Sequence, residues 1–348
     1  MENYKDHYLG CLLGGAIGDA LGAPIEFMDY HEIVGRYGSE GVTGYVEHPG
    51  GWGEFTDDTQ MLLFTAEGLI RTTARTRETG MDATLTPLVW QAYIQWLHTQ
   101  VYDKANDVLK KVLEHDRVKD LLIQHPELHK RRAPGNTCLS ALQSGQMGTM
   151  RHPINNSKGC GTVMRIAPVG LVHTDNMAKA FEVGVNLSAL THGHPSGYLS
   201  GGFMAAVISG LVQSKTLLAC IQHSMEILAG WPNHHEVATS VQAALDTHHR
   251  LKGEELNPTV IEKLGGAWVA EEALAIALLC ALHYPDDFAK GVLKSVNHSG
   301  DSDSTGALTG NLLGLMLGAE HIPPLWISKL LYRHIVEEMA QKLTDLKS

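Results

Sequence analysis

Two short acidic segments hold the densest clusters of hard oxygen donors in this chain. Near the start it reads Phe55-Thr56-Asp57-Asp58-Thr59-Gln60, and near the end Gly300-Asp301-Ser302-Asp303-Ser304-Thr305-Gly306. Each packs carboxylates and hydroxyls into one turn and then runs into an apolar, helix-like stretch. Such oxygens are the ligands preferred by hard cations such as Mg²⁺ or Mn²⁺. If the fold joins the two segments, four aspartates converge, and their repulsion calls for cations to offset it. The pair points to a metal-dependent enzyme. Each segment also has a plainer reading as a capped helix start, because Thr and Asp are good N-caps and first-turn carboxylates suit the helix dipole. The second segment opens like an EF-hand loop, but position 12, where that loop needs Glu, is Leu312, so an EF-hand is rejected.

Three other segments carry weaker signals. Asn155-Asn156-Ser157-Lys158-Gly159-Cys160-Gly161-Thr162 is polar and glycine-bearing. Its backbone N–H groups could form an anion nest, or it is an ordinary turn; it is neither a Walker A loop nor G-x-G-x-x-G. Leu190-Thr191-His192-Gly193-His194-Pro195 holds a His-x-His pair with no third ligand at zinc spacing. Glu26 follows a glycine-rich helix and reads as a solvated loop carboxylate or as a partner lying over a metal site.

Positioning these residues falls to helices. Apolar periodicity predicts helices over residues 8–22, 61–73, 85–97, 105–114, 178–190, 198–212, 217–228, 235–247, 270–283 and 306–317. Gly41 to Val46 is the best extended candidate, and no βαβ rhythm is visible. Arg117 to Gly135, with Pro126, Pro134 and Lys130-Arg131-Arg132, reads as a surface excursion. Gly10, Gly14, Gly18 and Gly22 recur every four residues, as do Gly306, Gly310, Gly314 and Gly318. Glycine inside a helix costs roughly 1 kcal/mol against alanine, so each row needs a reason. Glycines at i, i+4 make a groove that admits another helix closely, which predicts that the two rows lie deep in the bundle and against each other. That contact would bring the two acidic segments together.

Composition narrows the class. At 348 residues, length alone allows about two domains, but no linker or repeat appears, and one all-α domain over residues 1–348 is expected. The net charge of −11 with no long basic cluster argues against a nucleic-acid partner. The five cysteines are scattered without a Cys-x-x-Cys pair, which argues against a zinc knuckle or disulfide scaffold and fits a cytoplasmic location. No signal peptide is read at the N-terminus. No uncharged run is read as reaching the roughly 18 residues of a membrane span, so no membrane partner is expected.

Together and in this order, the segments resemble the ADP-ribosylglycohydrolase family, the type that includes the dinitrogenase-reductase-activating glycohydrolases. The matching stretches are Gly14 to Phe27, Phe55 to Thr59, Arg132 to Thr137, Asn156 to Pro168, Leu190 to Pro195, Trp268 to Ala273 and Gly300 to Gly314, and they span nearly the whole chain. The resemblance implies a compact, single-domain orthogonal helical bundle with two Mg²⁺ or Mn²⁺ ions. By motif it implies Thr56, Asp57, Asp58, Asp301, Asp303 and Ser304 as metal ligands; the family commonly has Thr where this chain has Ser304. It implies that Asn156, Ser157, Gly159, Gly161, Met164 and His192 contact substrate, with His194 less closely matched. It implies Glu26 as a carboxylate approaching the metals, and no aromatic stacker for the adenine is assigned.

The reaction implied is hydrolysis of the bond between ribose C1 of ADP-ribose and a protein side chain, most plausibly arginine. A metal pair can hold ribose hydroxyls and activate water at once. Cleavage builds oxocarbenium-like charge on the sugar, which glycosidases manage with carboxylates. Asp58 or Asp303 is expected as the base, with Glu26 in the catalytic set. The partners implied are an ADP-ribosylated protein and free ADP-ribose as product, in reversal of a regulatory modification or in protection from an ADP-ribosylating toxin. Two alternatives stand beside this: a hydrolase of a free ADP-ribose derivative, and a non-catalytic, crystallin-like binding protein on the same fold.

Overall fold

The structure is a computed structural model that describes residues 4–47, 51–80, 84–100 and 122–347. Among the described residues it is built from helices; the only β pairing is an isolated bridge between Gly159 and Val269. The all-α expectation holds.

The two glycine rows explain the centre of the molecule. The helices Tyr4–Gly22 and Ser302–Leu317 run antiparallel in one register. A Cβ placed on Gly10 would lie 2.2 Å from Gly314 O, one on Gly14 2.3 Å from Gly310 O, one on Gly18 1.9 Å from Gly306 O, and one on Gly22 2.3 Å from Ser302 O. Each four-residue step forward on one helix is matched by four residues back on the other. No side chain fits between these backbones, which is why the rows tolerate the helix cost of glycine. The contact carries the chain's first and last parts side by side and ends at Gly22 and Ser302, beside both acidic segments.

Around this pair, Asp57–Thr79 packs with Leu85–Gln100, and Met177–Ala189 with Pro195–Val212, where a Cβ on Gly184 would lie 2.9 Å from Gly201 O. Buried apolar side chains, Tyr8, Phe64, Trp96 and Phe203 among them, form a continuous cluster. Several predicted helices are recovered with longer ends: residues 61–73 become Asp57–Thr79, and 306–317 becomes Ser302–Leu317. Further helices, Tyr30–Tyr37, Asn136–Gln143, Ala167–Val172, Phe288–Val296 and Arg333–Asp345, are absent from the sequence reading. The helix expected over 105–114 lies outside the described residues.

Three expectations need correction. Gly41 to Val46 is non-helical but pairs with no strand; the Asn297 side chain takes a strand's place, accepting from Val42 N at 2.8 Å and donating to Val42 O at 2.9 Å. The described part of the 117–135 stretch is not a simple surface excursion. Arg132 is buried because its Nε sits 3.0 Å from the buried Glu54 carboxylate and its guanidinium lies over the Phe55 and Tyr332 rings. Finally, one uncharged run of membrane-span length does exist, Pro195–Val212; Tyr4–Ile25, which carries Lys5, Asp6 and Asp19, is likewise long and apolar enough to cross a bilayer. They are 94% and 83% buried inside the fold, so protein, not lipid, covers their apolar surface.

Candidate active site

Both acidic segments are helix starts whose aspartates line one cleft. Thr56 caps Asp57–Thr79 by accepting from Asp58 N at 3.2 Å, and Asp301 caps Ser302–Leu317 by accepting from Ser304 N at 3.2 Å. Two helix N-termini therefore face one spot, and their dipoles favour the negative charge gathered there. The segments touch directly: Ser304 Oγ donates to Asp58 Oδ2 at 2.9 Å.

The carboxylates line one cleft of about 210 Å³. Asp57, Asp58, Asp301 and Asp303 are each 3–4% exposed. Oxygen atoms of Glu26, Asp301 and Asp303 lie within 4.8 Å of one another. Burial, and after it the charge of Asp303, raises Asp57, Asp58 and Asp301 well above the usual carboxylate range. Burial pushes Glu26 up to about 10, with Asp303 and Asp301 adding to it. Burial also raises Asp303, against hydrogen bonds that lower it. A buried set of like charges needs protons or cations.

Neighbouring groups hold these carboxylates in place. Asp57 Oδ2 accepts from Gly135 N at 3.2 Å, Asp301 Oδ2 from Cys160 Sγ at 2.8 Å, and Asp303 Oδ1 from Ser304 N at 2.9 Å. Asp19 has the largest orienting role and no role in the sequence reading. Fully buried, it accepts from Thr56 N, Thr59 N and Thr59 Oγ1 at 2.9, 3.0 and 2.5 Å, and so holds the Thr56–Thr59 turn. Its signal was available: a lone carboxylate within the apolar Gly18–Gly22 segment of a buried helix.

The second wall is the loop 155–164. Gly159, Cys160, Gly161, Met164 and His192 all line the cleft. Ser157 lies just behind, its Oγ 3.1 Å from the Oγ1 of the lining residue Thr137. Asn156 is exposed and off the lining. Asn155 anchors the loop, donating to Thr191 O at 2.8 Å and accepting from Gly193 N at 3.1 Å. His194 does not line the cleft; it caps Pro195–Val212 by accepting from Ser196 N at 3.2 Å. At the mouth, Trp268 lines the cleft and stacks on Phe27 at 5.6 Å, both exposed.

The ADP-ribosylglycohydrolase family model matches residues 1–348, the whole chain. The chain belongs to the ADP-ribosylglycohydrolase family. It is 26% identical over 338 residues to the ADP-ribosyl-[dinitrogen reductase] glycohydrolase of Rhodospirillum rubrum, covering 93% of this chain and 90% of that one. It is 23% identical over 351 residues to the ADP-ribosylarginine hydrolase Tri1 of Pseudomonas putida, covering 99% of this chain and 79% of the relative. A solved structure titled ADP-ribosylglycohydrolase-related protein complex superposes with a TM-score of 0.64 at 22% identity, covering all of both chains, which bears out the fold. As an ADP-ribosylglycohydrolase the chain is a hydrolase of glycosidic bonds.

Proposed function

We propose that this ADP-ribosylglycohydrolase frees ADP-ribose from an arginine side chain of a modified protein. One observation carries the reading: oxygen donors from opposite ends of the sequence converge in a cleft whose other wall is a glycine-bearing loop. The names of the Rhodospirillum and Pseudomonas relatives, a dinitrogen reductase glycohydrolase and an ADP-ribosylarginine hydrolase, support the choice of a protein, and of arginine, as acceptor. The same hydrolysis serves to reverse a regulatory modification or to protect against a toxin that makes one. Five free cysteines fit work in a reducing cytoplasm.

The donor set suits hard divalent cations. Buried carboxylates held above their normal range, beside hydroxyls and with no amine among the cluster, are what Mg²⁺ or Mn²⁺ would neutralise. Thr56, Asp57, Asp58, Asp301, Asp303 and Ser304 would hold two of them. When bound, such cations supply Lewis acidity and a water of lowered pKa.

The chain's own groups supply the rest. Attack of water at ribose C1 needs a base, and Asp58 or Asp303 takes the proton; Ser304 bonds to both and fixes their orientation. The carboxylate-rich wall stabilises the positive charge that grows on the ribose. Glu26, half-buried beside Asp301 and Asp303, is the carboxylate that an entering substrate displaces. Gly159, Gly161, Met164 and His192 line the side that receives ADP-ribose.

The test is incubation with arginine- and serine-ADP-ribosylated proteins, in Mg²⁺, in Mn²⁺ and in EDTA, beside an Asp57→Ala/Asp303→Ala variant. Release of ADP-ribose from the arginine conjugate, lost in EDTA and in the variant, is the expected result. Release from serine alone would reassign the acceptor. No release from either, with free ADP-ribose derivatives hydrolysed instead, would overturn the protein-directed reading.

A further inference from the structure

His192 Nδ1 lies 2.8 Å from Thr191 Oγ1, and Arg165 Nη2 donates to the same oxygen at 2.7 Å. A threonine hydroxyl has one proton to give. If His192 Nδ1 also donated, Thr191 would receive two donors and its own proton would be stranded. Among the described residues Thr191 Oγ1 makes no other hydrogen bond, and Thr191 is 1% exposed. So Arg165 donates to Thr191, Thr191 donates to His192 Nδ1, and the imidazole proton sits on Nε2. We propose that Arg165 and Thr191 are positioning residues that lock His192 as a neutral Nε2–H donor facing the cleft, where it holds an oxygen of the bound ADP-ribose.

The surroundings agree. Nε2 lies at the loop wall: a Cβ on Gly159 or on Gly161 would come to 3.4 Å from it. A Cβ on Gly161 would also press Cys138 Sγ at 2.8 Å, so the glycines keep the nitrogen open to the cleft. Among the described residues no protein acceptor takes the Nε2 proton. Burial, and then the nearby Arg165 charge, lower His192 to about 3, so the ring stays neutral. The cleft wall formed by the acidic segments presents Asp57, Asp58, Asp301 and Asp303.

Arg165 itself is an anomaly that this role explains. Its side chain is fully buried, and among the described residues no carboxylate pairs with it. It is held by Leu187 O at 3.3 Å, by the Tyr93 ring at 4.4 Å and by weak contacts to Met61 and Cys138 sulfur, while Nε has no partner. A buried cation without a counter-ion is costly and is kept where it does something specific. Tyr93 in turn donates to Thr65 Oγ1 at 2.7 Å, which fixes the ring beneath the guanidinium.

The inference rests on the proposed function only for the identity of the ligand. The experiment is long-range ¹H–¹⁵N NMR of labelled protein, with the His192 signals assigned by subtraction of a His192→Gln spectrum, beside ADP-ribose titrations. Wild type should show the Nε2–H tautomer near neutral pH. Thr191→Val should lose it and raise the ADP-ribose Kd about tenfold, the scale of one hydrogen bond to a charged group. Thr191→Ser should restore both. An Nδ1–H tautomer or an imidazolium in wild type, or a Thr191→Val protein with unchanged tautomer and Kd whatever its Tm, overturns the relay. The expected tautomer in a wild-type protein that fails to bind ADP-ribose would support the relay and sink the functional reading instead.

Discussion

Ser304 Oγ donates to Asp58 Oδ2 at 2.9 Å, a bond between residues 246 positions apart that ties the two acidic segments together. Its backbone N also donates to Asp301 and Asp303, so one residue orients three carboxylates. The N–H bonds survive substitution by alanine, but the hydroxyl bond does not. Ser304→Ala should therefore weaken Mg²⁺ or Mn²⁺ binding, by roughly the 10- to 100-fold typical of lost orienting contacts around a metal. Ser304→Thr keeps the oxygen and should bind within a few-fold of wild type. Calorimetric titration of each variant with the cation decides; an alanine variant equal to wild type would remove Ser304 from the site.

Acidity and cations should act in opposition. Burial, with Asp303 next, raises Asp19 to about 7, and burial with Asp303 and Asp301 raises Glu26 to about 10. In the unfolded chain such carboxyls ionise near pH 4. Between those values the folded protein holds protons that the unfolded chain has released. Their contribution to stability is thus fully present below about pH 4 and is lost as pH rises through about 7 and on towards 10. In EDTA, Tm should fall between about pH 5.5 and about pH 8.5, and added Mg²⁺ or Mn²⁺ should raise Tm more at the higher pH. Equal cation effects at both pH values would show that the cluster is not where the cation binds.

What the sequence made legible was the periodic and the clustered. Glycines at four-residue spacing have few explanations inside an apolar helix, and their partner row announced itself by the same spacing. The aspartate pairs stood out because each is dense within one turn. Single residues whose meaning comes from distant neighbours did not stand out. Asp19 is one carboxylate in a long apolar helix until Thr56 and Thr59 are folded onto it. Arg132 belongs to a basic run that looks solvated until Glu54, Phe55 and Tyr332 enclose it. The helix Tyr30–Tyr37 carries a local signal of its own: Asp29 and Glu32 form a capping box at its start.

The central helix pair should be intolerant of a single methyl group. A Cβ on Gly310 would sit 2.0 Å from Gly14 O, against backbone that cannot step aside. Gly310→Ala should cost about 3 kcal/mol or more through overpacking, despite alanine's better helix propensity. Gly35 is the control: it lies in the helix Tyr30–Tyr37, and nothing stands within 4 Å of its would-be Cβ. Gly35→Ala should be neutral or stabilising by up to about 1 kcal/mol. Urea unfolding of both variants measures the contrast. A mild Gly310→Ala effect would mean that the two helices separate easily.

Asp19 gives the sharpest test of orientation without contact. It does not line the cleft, yet it holds two backbone N–H groups and one hydroxyl of the Thr56–Thr59 turn. Asp19→Asn keeps size and shape but swaps one accepting oxygen for an NH₂ group, from which Thr59 Oγ1 can accept but the Thr56 and Thr59 backbone N–H groups cannot. Two donors then compete for the remaining oxygen, or one is stranded at a cost of about 1–3 kcal/mol. The turn that follows carries Asp57 and Asp58, so a small displacement moves both. Hydrolysis of the ADP-ribosylated substrate should fall about 100-fold, the scale of an ångström-sized misplacement at a reacting centre. Asp19→Ala should fall further, because it removes every acceptor and leaves a void. Steady-state release of ADP-ribose, read beside cation affinity and Tm, separates the possibilities. Lost activity with a retained fold and weakened cation binding locates the effect in the turn. Full activity in Asp19→Asn would mean that Thr56 and its neighbours hold their geometry through their own caps, and that Asp19 serves only the core.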